Sequence, residues 1–304
     1  MDEKQVARAI NLNDGSKMPL LGLRTWKPSH LPWTSVQYAV EAAIAAGYRH
    51  IDTACCYGNQ VDIGKALHSK MQQGIIRRQD MFIVNKCTCC AVEDIPKCFN
   101  TSLTELQLDY LDLFLLQCTA GLKKTSDDFF RNEGTILTSD VDYLELWRAM
   151  EALQASAKVK NIGDSNFNIK QLNKLLHLCK IPPAVNQVEL HPYLTQEELI
   201  KFCKGTNIVL IACRPFGSPA RTPRLIREGS DPNKLLQDSF IVDIAKKHKR
   251  SPAEVLLRYH VQQGIAVIPK SDKSHHILEN TKIFDFSLTE EDMIRLKRRL
   301  QSPS

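Results

Sequence analysis

Eight short apolar runs alternate with longer stretches of helical periodicity along this chain, and that alternation narrows the folds open to it. The runs are Leu21–Thr25, His50–Thr53, Met81–Val84, Leu111–Leu116, Val159–Gly163, Ala184–Val188, Ile208–Ala212 and Ile265–Ile268. Runs of this length fit strands covered on both faces. Between them, Val36–Ala46 has helical periodicity and stops at Gly47, and Ser102–Leu108 leads into the fourth run. Ser251-Pro252-Ala253-Glu254 places an N-cap serine before a proline at the first helical position. Alternating strand and helix imply a parallel sheet with right-handed crossovers. Eight such units predict an α/β fold, a (β/α)8 TIM barrel, and 304 residues suit one domain spanning 1–304. The competitor is an open doubly wound sheet, but no run is followed by a G-x-G-x-x-G turn.

Two features lie outside the repeat. Ala9–Leu12 and Met18–Leu21 flank the turn Asn13-Asp14-Gly15-Ser16, which predicts an N-terminal β-hairpin. Thr119–Asp142 and Arg214–Lys234 are long, polar and aperiodic, and each follows a strand. Both therefore fall at the C-terminal mouth, where a barrel carries its active site.

The net charge of +6 is modest, and its basic clusters, 246–250 and 295–299, read as solvated helix faces. No basic face interleaved with aromatics points to nucleic acid. No apolar run is long enough for a membrane span, and the first ten residues lack a signal-like apolar core, so the cytosol is the expected location. Ten irregularly spaced cysteines then read as reduced thiols. Cys87–Cys90 has C-x-x-C spacing, but no second pair follows, so no metal site is expected.

The segment Gly47-Tyr48-Arg49-His50-Ile51-Asp52-Thr53-Ala54-Cys55-Cys56-Tyr57-Gly58-Asn59-Gln60 resembles the aldo-keto reductase signature. Lys86 ends the third run, as that family's catalytic lysine does. Asn161–Phe167, Val185-Asn186-Gln187 with His191-Pro192-Tyr193, and Ile268-Pro269-Lys270-Ser271 with Glu279-Asn280 are similar to its later motifs, in order. The resemblance is to family 1, the aldose, aldehyde and hydroxysteroid reductases, and covers nearly the whole chain. It implies a monomer that uses NADP(H) to reduce a small-molecule carbonyl.

An unperturbed tyrosine, with pKa about 10, is a weak acid at neutral pH, and a nearby ammonium favours its ionised form. The resemblance assigns Tyr57 as general acid, Lys86 as its tuner and Asp52 as the partner of that lysine. Gln117 stands where the family has a catalytic histidine. Its amide can donate a hydrogen bond to a carbonyl oxygen, but it cannot titrate.

The resemblance also implies a cofactor shell of Thr25, Asp52, Ser165, Asn166, Gln187, Phe216, Ser218, Lys270, Ser271, His276, Glu279 and Asn280. Ser165, Asn166 and Gln187 match the residues that hold the nicotinamide carboxamide. Lys270 and Ser271 match the clamp on the 2′-phosphate. His276 replaces an arginine that reads the adenosine phosphate, and a neutral histidine is a weaker phosphate partner. Cys213 replaces the tyrosine that stacks on the nicotinamide, and Ala220 replaces a latching aspartate. Trp26, Tyr57, Gln117 and Cys118 are the substrate-side candidates. Trp26 keeps one aromatic wall, whereas Thr88 and Cys118 stand where relatives often have tryptophan.

Three functions are open on this reading. The first is an NADP(H)-dependent reductase of aldehydes or ketones. The second is a cofactor-binding regulator or sensor without useful catalysis, motivated by Gln117, Cys213 and His276. The third is a barrel that binds no cofactor.

Overall fold

In a computed structural model, the structure describes residues 8–27, 34–88, 91–117, 121–122, 138–139, 141–217 and 235–298. Strands β1 (Ala9–Asn11) and β2 (Lys17–Pro19) form the expected hairpin, with Ala9 opposite Pro19 and Asn11 opposite Lys17. Gly15 turns it at φ 84°, a left-handed conformation that glycine adopts without a Cβ clash.

Eight parallel strands follow: β3 (Leu23–Arg24), β4 (His50–Asp52), β5 (Phe82–Cys87), β6 (Leu111–Leu116), β9 (Val159–Ser165), β10 (Val185–Glu189), β11 (Val209–Cys213) and β12 (Ala266–Ile268). Each overlaps one of the eight apolar runs. The two-residue strands β7 (Gly121–Leu122) and β8 (Thr138–Ser139) pair antiparallel inside the first long loop. Hydrogen-bonded neighbours run β12-β11-β10-β9-β6-β5-β4-β3. A parallel bridge between Leu21 and Val267 then brings the two edges together. Val267 N donates to Leu20 O at 2.7 Å, Gly22 N to Val267 O at 2.9 Å, and Arg24 N to Pro269 O at 3.1 Å. The result is the expected (β/α)8 barrel with an N-terminal hairpin.

The intervening helices are α1 (Thr34–Ala45), α2 (Gln60–Gln72), α3 (Asp94–Leu106), α4 (Tyr143–Ala155), α5 (Ile169–Leu178), α6 (Glu197–Gly205), α7 (Ser239–His248), α8 (Pro252–Val261), α9 (Ser274–Glu279) and α10 (Glu290–Arg298). The signal at Ser251 produces a capping box. Ser251 Oγ accepts from Glu254 N at 3.2 Å, and Glu254 Oε2 accepts from Ser251 N at 2.8 Å. The basic cluster at 246–250 terminates α7, with Lys249 left-handed at its cap, and so complements the negative end of that helix.

Side chains alternate across the closed sheet, and two packed regions follow. Inside the barrel lie Phe82, Val84, Leu113, Leu115, Val185 and Ile211, with Leu12 and Met18 of the hairpin packed in the same cluster. Between sheet and helices lies the larger cluster, which includes Ile51, Ile83, Phe114, Ile162, Leu210 and Val267. Among the described residues, no helix is long and apolar enough to cross a membrane.

One outward position breaks the apolar rule. Asp164 on β9 is fully buried, and neither carboxylate oxygen has a hydrogen-bond partner among the described residues. Burial pushes its carboxyl well above the ordinary carboxylate range, and its charge would act on the buried thiol of Cys203 in α6. The native state thus keeps a proton that the unfolded chain releases. Its stability contribution is present below the unfolded pKa of about 3.9 and is lost as pH rises toward the folded value. Asp164→Val should therefore raise unfolding free energy by about 1–3 kcal/mol near neutral pH. The gain should be smaller near pH ~4. Urea unfolding at both pH values checks this, and a variant no more stable than wild type at neutral pH would contradict it.

Candidate active site

Inward alternation delivers the charged residues of the mouth. Asp52, the last residue of β4, is fully buried, and Lys86, the penultimate residue of β5, is 2% exposed. Lys86 Nζ lies 2.6 Å from each oxygen of Asp52. Gln187 Nε2 on β10 donates to Asp52 Oδ2 at 2.7 Å from across the barrel. On the outer face of β5, Asn85 Oδ1 accepts from the backbone N of Lys86 at 2.7 Å, and Asn85 Nδ2 donates to Gln60 Oε1 at 2.7 Å. A buried ion pair survives only when its lone pairs and protons are this well occupied.

Tyr57 closes the 3-10 turn Cys55–Tyr57 that follows β4, with Gly58 left-handed behind it. That turn brings the tyrosine back over the strand ends, 5.4 Å from Lys86 Nζ to the ring centre. Asp52, Tyr57 and Lys86 are thus one cluster, as the sequence predicts.

Gln117 follows β6, where its backbone N–H extends the ladder to Cys87 O at 2.9 Å. The Thr88 hydroxyl donates to Gln117 Oε1 at 3.3 Å, and Cys56 Sγ reaches that oxygen at 3.9 Å. The amide NH2 of Gln117 has no hydrogen bond to a described residue, so it is the end left to donate. Asn166, left-handed at φ 66°, donates from Nδ2 to Gln117 O at 3.4 Å and to Ser165 Oγ at 3.3 Å. Ser165 Oγ in turn donates to Gln187 O at 2.8 Å. Ser165, Asn166, Gln187 and Gln117 therefore adjoin one another at one side of the mouth.

On the other side, Thr25, Trp26, Lys270 and Ser271 line one cleft with Arg24, Lys27 and Asp272. Its free volume of about 20 Å³ has room for roughly one water molecule. Thr25 Oγ1 donates to Asp52 O at 3.0 Å, tying this cleft to the buried pair. Beyond Ser271, His276 is exposed on α9, Glu279 is half-buried, and Asn280 is buried beside the Tyr48 hydroxyl. Phe216 packs between two core clusters. Ser218, Ala220 and Cys118 lie outside the described residues.

Sequence reasoning missed Arg24. It ends β3 at an inward position, as a charged residue inside the run Leu21–Thr25 implies under strand alternation. Its Nε donates to Tyr57 Oη at 3.2 Å, and its guanidinium carbon lies 5.6 Å from the Tyr57 ring centre and 5.8 Å from that of Trp26. Burial opposes its charge, whereas Tyr57, Cys213 and Asp52 favour it.

The cysteine expectation needs one correction, because the structure pairs Cys55 with Cys98 of α3 as a disulfide. Their Cα atoms are 6.7 Å apart across 43 residues of sequence, a proximity created by packing α3 beside the turn that carries Tyr57. Linear spacing carries no trace of it, and the cysteines no longer argue for a reducing compartment. Cys87 points away from Lys86 into the outer core, and Cys213 is buried with its thiol pushed up by desolvation. Among the described residues no His, Cys, Asp or Glu cluster would hold a metal ion.

A model of the aldo/keto reductase family matches residues 21–300. The chain is 40% identical over 294 residues to aldo-keto reductase family 1 member A1 of Bos taurus, covering 95% of this chain and 88% of that protein. It is 41% identical over 298 residues to aldo-keto reductase family 1 member C1 of Macaca fuscata fuscata, covering 96% and 91%. It is 39% identical over 300 residues to prostaglandin F synthase 1 of Bos taurus, again covering 96% and 91%. The chain belongs to the aldo/keto reductase family, whose members are oxidoreductases that act on carbonyls.

Two outcomes test this geometry. Lys86→Met should cost about 3–5 kcal/mol, because it strands the Asp52 charge in the interior, and adding Asp52→Asn should recover part of that loss in urea unfolding. A non-reducing digest should contain a peptide linked through Cys55 and Cys98 that separates on treatment with dithiothreitol. Unlinked peptides from unreduced protein would refute the pairing.

Proposed function

We propose that this chain is an NADP(H)-dependent reductase of aldehydes or ketones in which Tyr57 delivers the proton. The observation that carries the reading is the buried Asp52–Lys86 pair held under Tyr57. An ammonium fixed beside a phenol stabilises the charge that the phenol develops as it gives up its proton. Asp52 and Gln187 hold that ammonium in place, so it does not turn toward solvent.

The residues present suit a phosphorylated dinucleotide at two ends. Lys270, half-exposed beside Ser271, supplies a cation for a 2′-phosphate, and Ser165 and Asn166 supply polar groups for a carboxamide. The dinucleotide, when bound, supplies the hydride. The chain supplies the rest: Tyr57 Oη holds the proton to be transferred, and the free NH2 of Gln117 orients the carbonyl oxygen. Without an imidazole at position 117, nothing there relays a proton, so carbonyl reduction by this site is slow relative to a histidine-bearing one.

The second reading, a cofactor-binding protein without turnover, draws support from Gln117 and from the hydrogen bond that Arg24 makes to Tyr57 Oη. Absorbance-followed NADPH oxidation with reactive aromatic aldehydes and dicarbonyls separates the two. Turnover should fall about 10²–10⁴-fold in Tyr57→Phe and rise in Gln117→His. Turnover retained in Tyr57→Phe would remove the tyrosine from the mechanism. NADPH binding without turnover across the carbonyl panel would favour the second reading.

A further inference from the structure

The reaction just described needs open space over Tyr57. A carbonyl oxygen must come within about 2.6–3.2 Å of Tyr57 Oη, and a hydride donor must lie about 3–3.5 Å from the carbonyl carbon. The guanidinium of Arg24 stands there instead. It donates to that same hydroxyl oxygen at 3.2 Å and spreads against the rings of Tyr57 and Trp26. Cys213, which stands where the family resemblance implies a tyrosine stacked on the nicotinamide, is among its electrostatic neighbours. Arg24 therefore covers the proton donor from the side of the mouth that it shares with Trp26.

Its anchorage is light. Both oxygens of Asp52 are occupied by Lys86, and one of them also by Gln187. Among the described residues, Arg24 has no carboxylate at ion-pair distance. One hydrogen bond to a hydroxyl, two ring contacts and the longer-range attraction of Asp52 hold it, and the residue keeps partial exposure at the mouth. A long side chain so held can swing outward on its own stem.

We propose that Arg24 is a plug on the reacting face of Tyr57, and that it must turn out of the barrel mouth before the nicotinamide end of the cofactor and a carbonyl reach the tyrosine. The inference rests on the reductase reading and specifies who controls entry to that site. The apparent affinity is then the intrinsic one multiplied by the fraction of molecules in which the plug is open. Removing the side chain should remove that penalty.

The test measures NADPH affinity directly, by the change in cofactor fluorescence on binding, for wild type, Arg24→Ala and Arg24→Met. Arg24→Ala should bind NADPH about tenfold more tightly or better. Arg24→Met, which keeps bulk but loses the hydrogen bond and charge, should fall between it and wild type. In turnover, the gain should appear as a lower KM for NADPH, with kcat unchanged or raised. Urea unfolding of each variant confirms that it is folded. NADPH binding by wild type with no tightening in Arg24→Ala would overturn the plug and leave the reductase reading standing. Weaker binding in Arg24→Ala would also overturn it, showing that the guanidinium is a ligand of the cofactor. An absence of NADPH binding in wild type and both variants would sink the cofactor reading and the plug with it.

Discussion

The two-residue alternation of a closed parallel sheet governs nearly everything at the mouth of this barrel. Closing eight strands divides every strand residue between a narrow interior and a helix-covered exterior. Lys86 points in toward Asp52, and Cys87 points out into the helix layer. Ser165 points in toward Gln187, and Asp164 points out into apolar packing. Arg24 points in over Tyr57, and Leu23 points out. Shifting any of these strands by one residue would exchange those assignments.

The interior charges show how the constraint is met. Lys86 and Asp52 are both buried, so each depends on the other and on Gln187, which donates to Asp52. Such a network is costly to break and leaves little freedom to move, which suits a lysine that must stay beneath a tyrosine. Arg24 is the contrasting case. It reaches the same mouth but meets an Asp52 already engaged, so it settles on a hydroxyl and two aromatic rings. One mouth thus holds one cation paired directly with a carboxylate and a second that rests on Tyr57 without one.

The outward face departs from its own rule at Asp164, whose carboxyl is neither solvated nor hydrogen-bonded among the described residues. The fold tolerates it by keeping the group protonated, at a cost to stability near neutral pH. It is a structural burden remote in kind from the polar cluster inside the mouth, although Ser165 is the very next residue.

Much of this was legible in the amino-acid order. Strand positions, the hairpin turn at Gly15 and the Ser251 capping box depend on local patterns, which propensity and periodicity expose directly. Asp52, Tyr57 and Lys86 stood out because their segments resemble the family's motifs, and they lie at strand ends, where a barrel collects its chemistry. What the order of residues did not reveal depends on contacts between distant segments. The Cys55–Cys98 pairing arises from where α3 packs, not from spacing. The unpartnered state of Asp164 depends on what surrounds β9. The seat of Arg24 depends on Asp52 being already satisfied by Lys86 and Gln187. Local sequence thus determined which elements form and which faces they bury, because those choices rest on neighbours along the chain. Only tertiary structure decided which charge meets which partner, because that competition is settled between strands that the sequence keeps far apart.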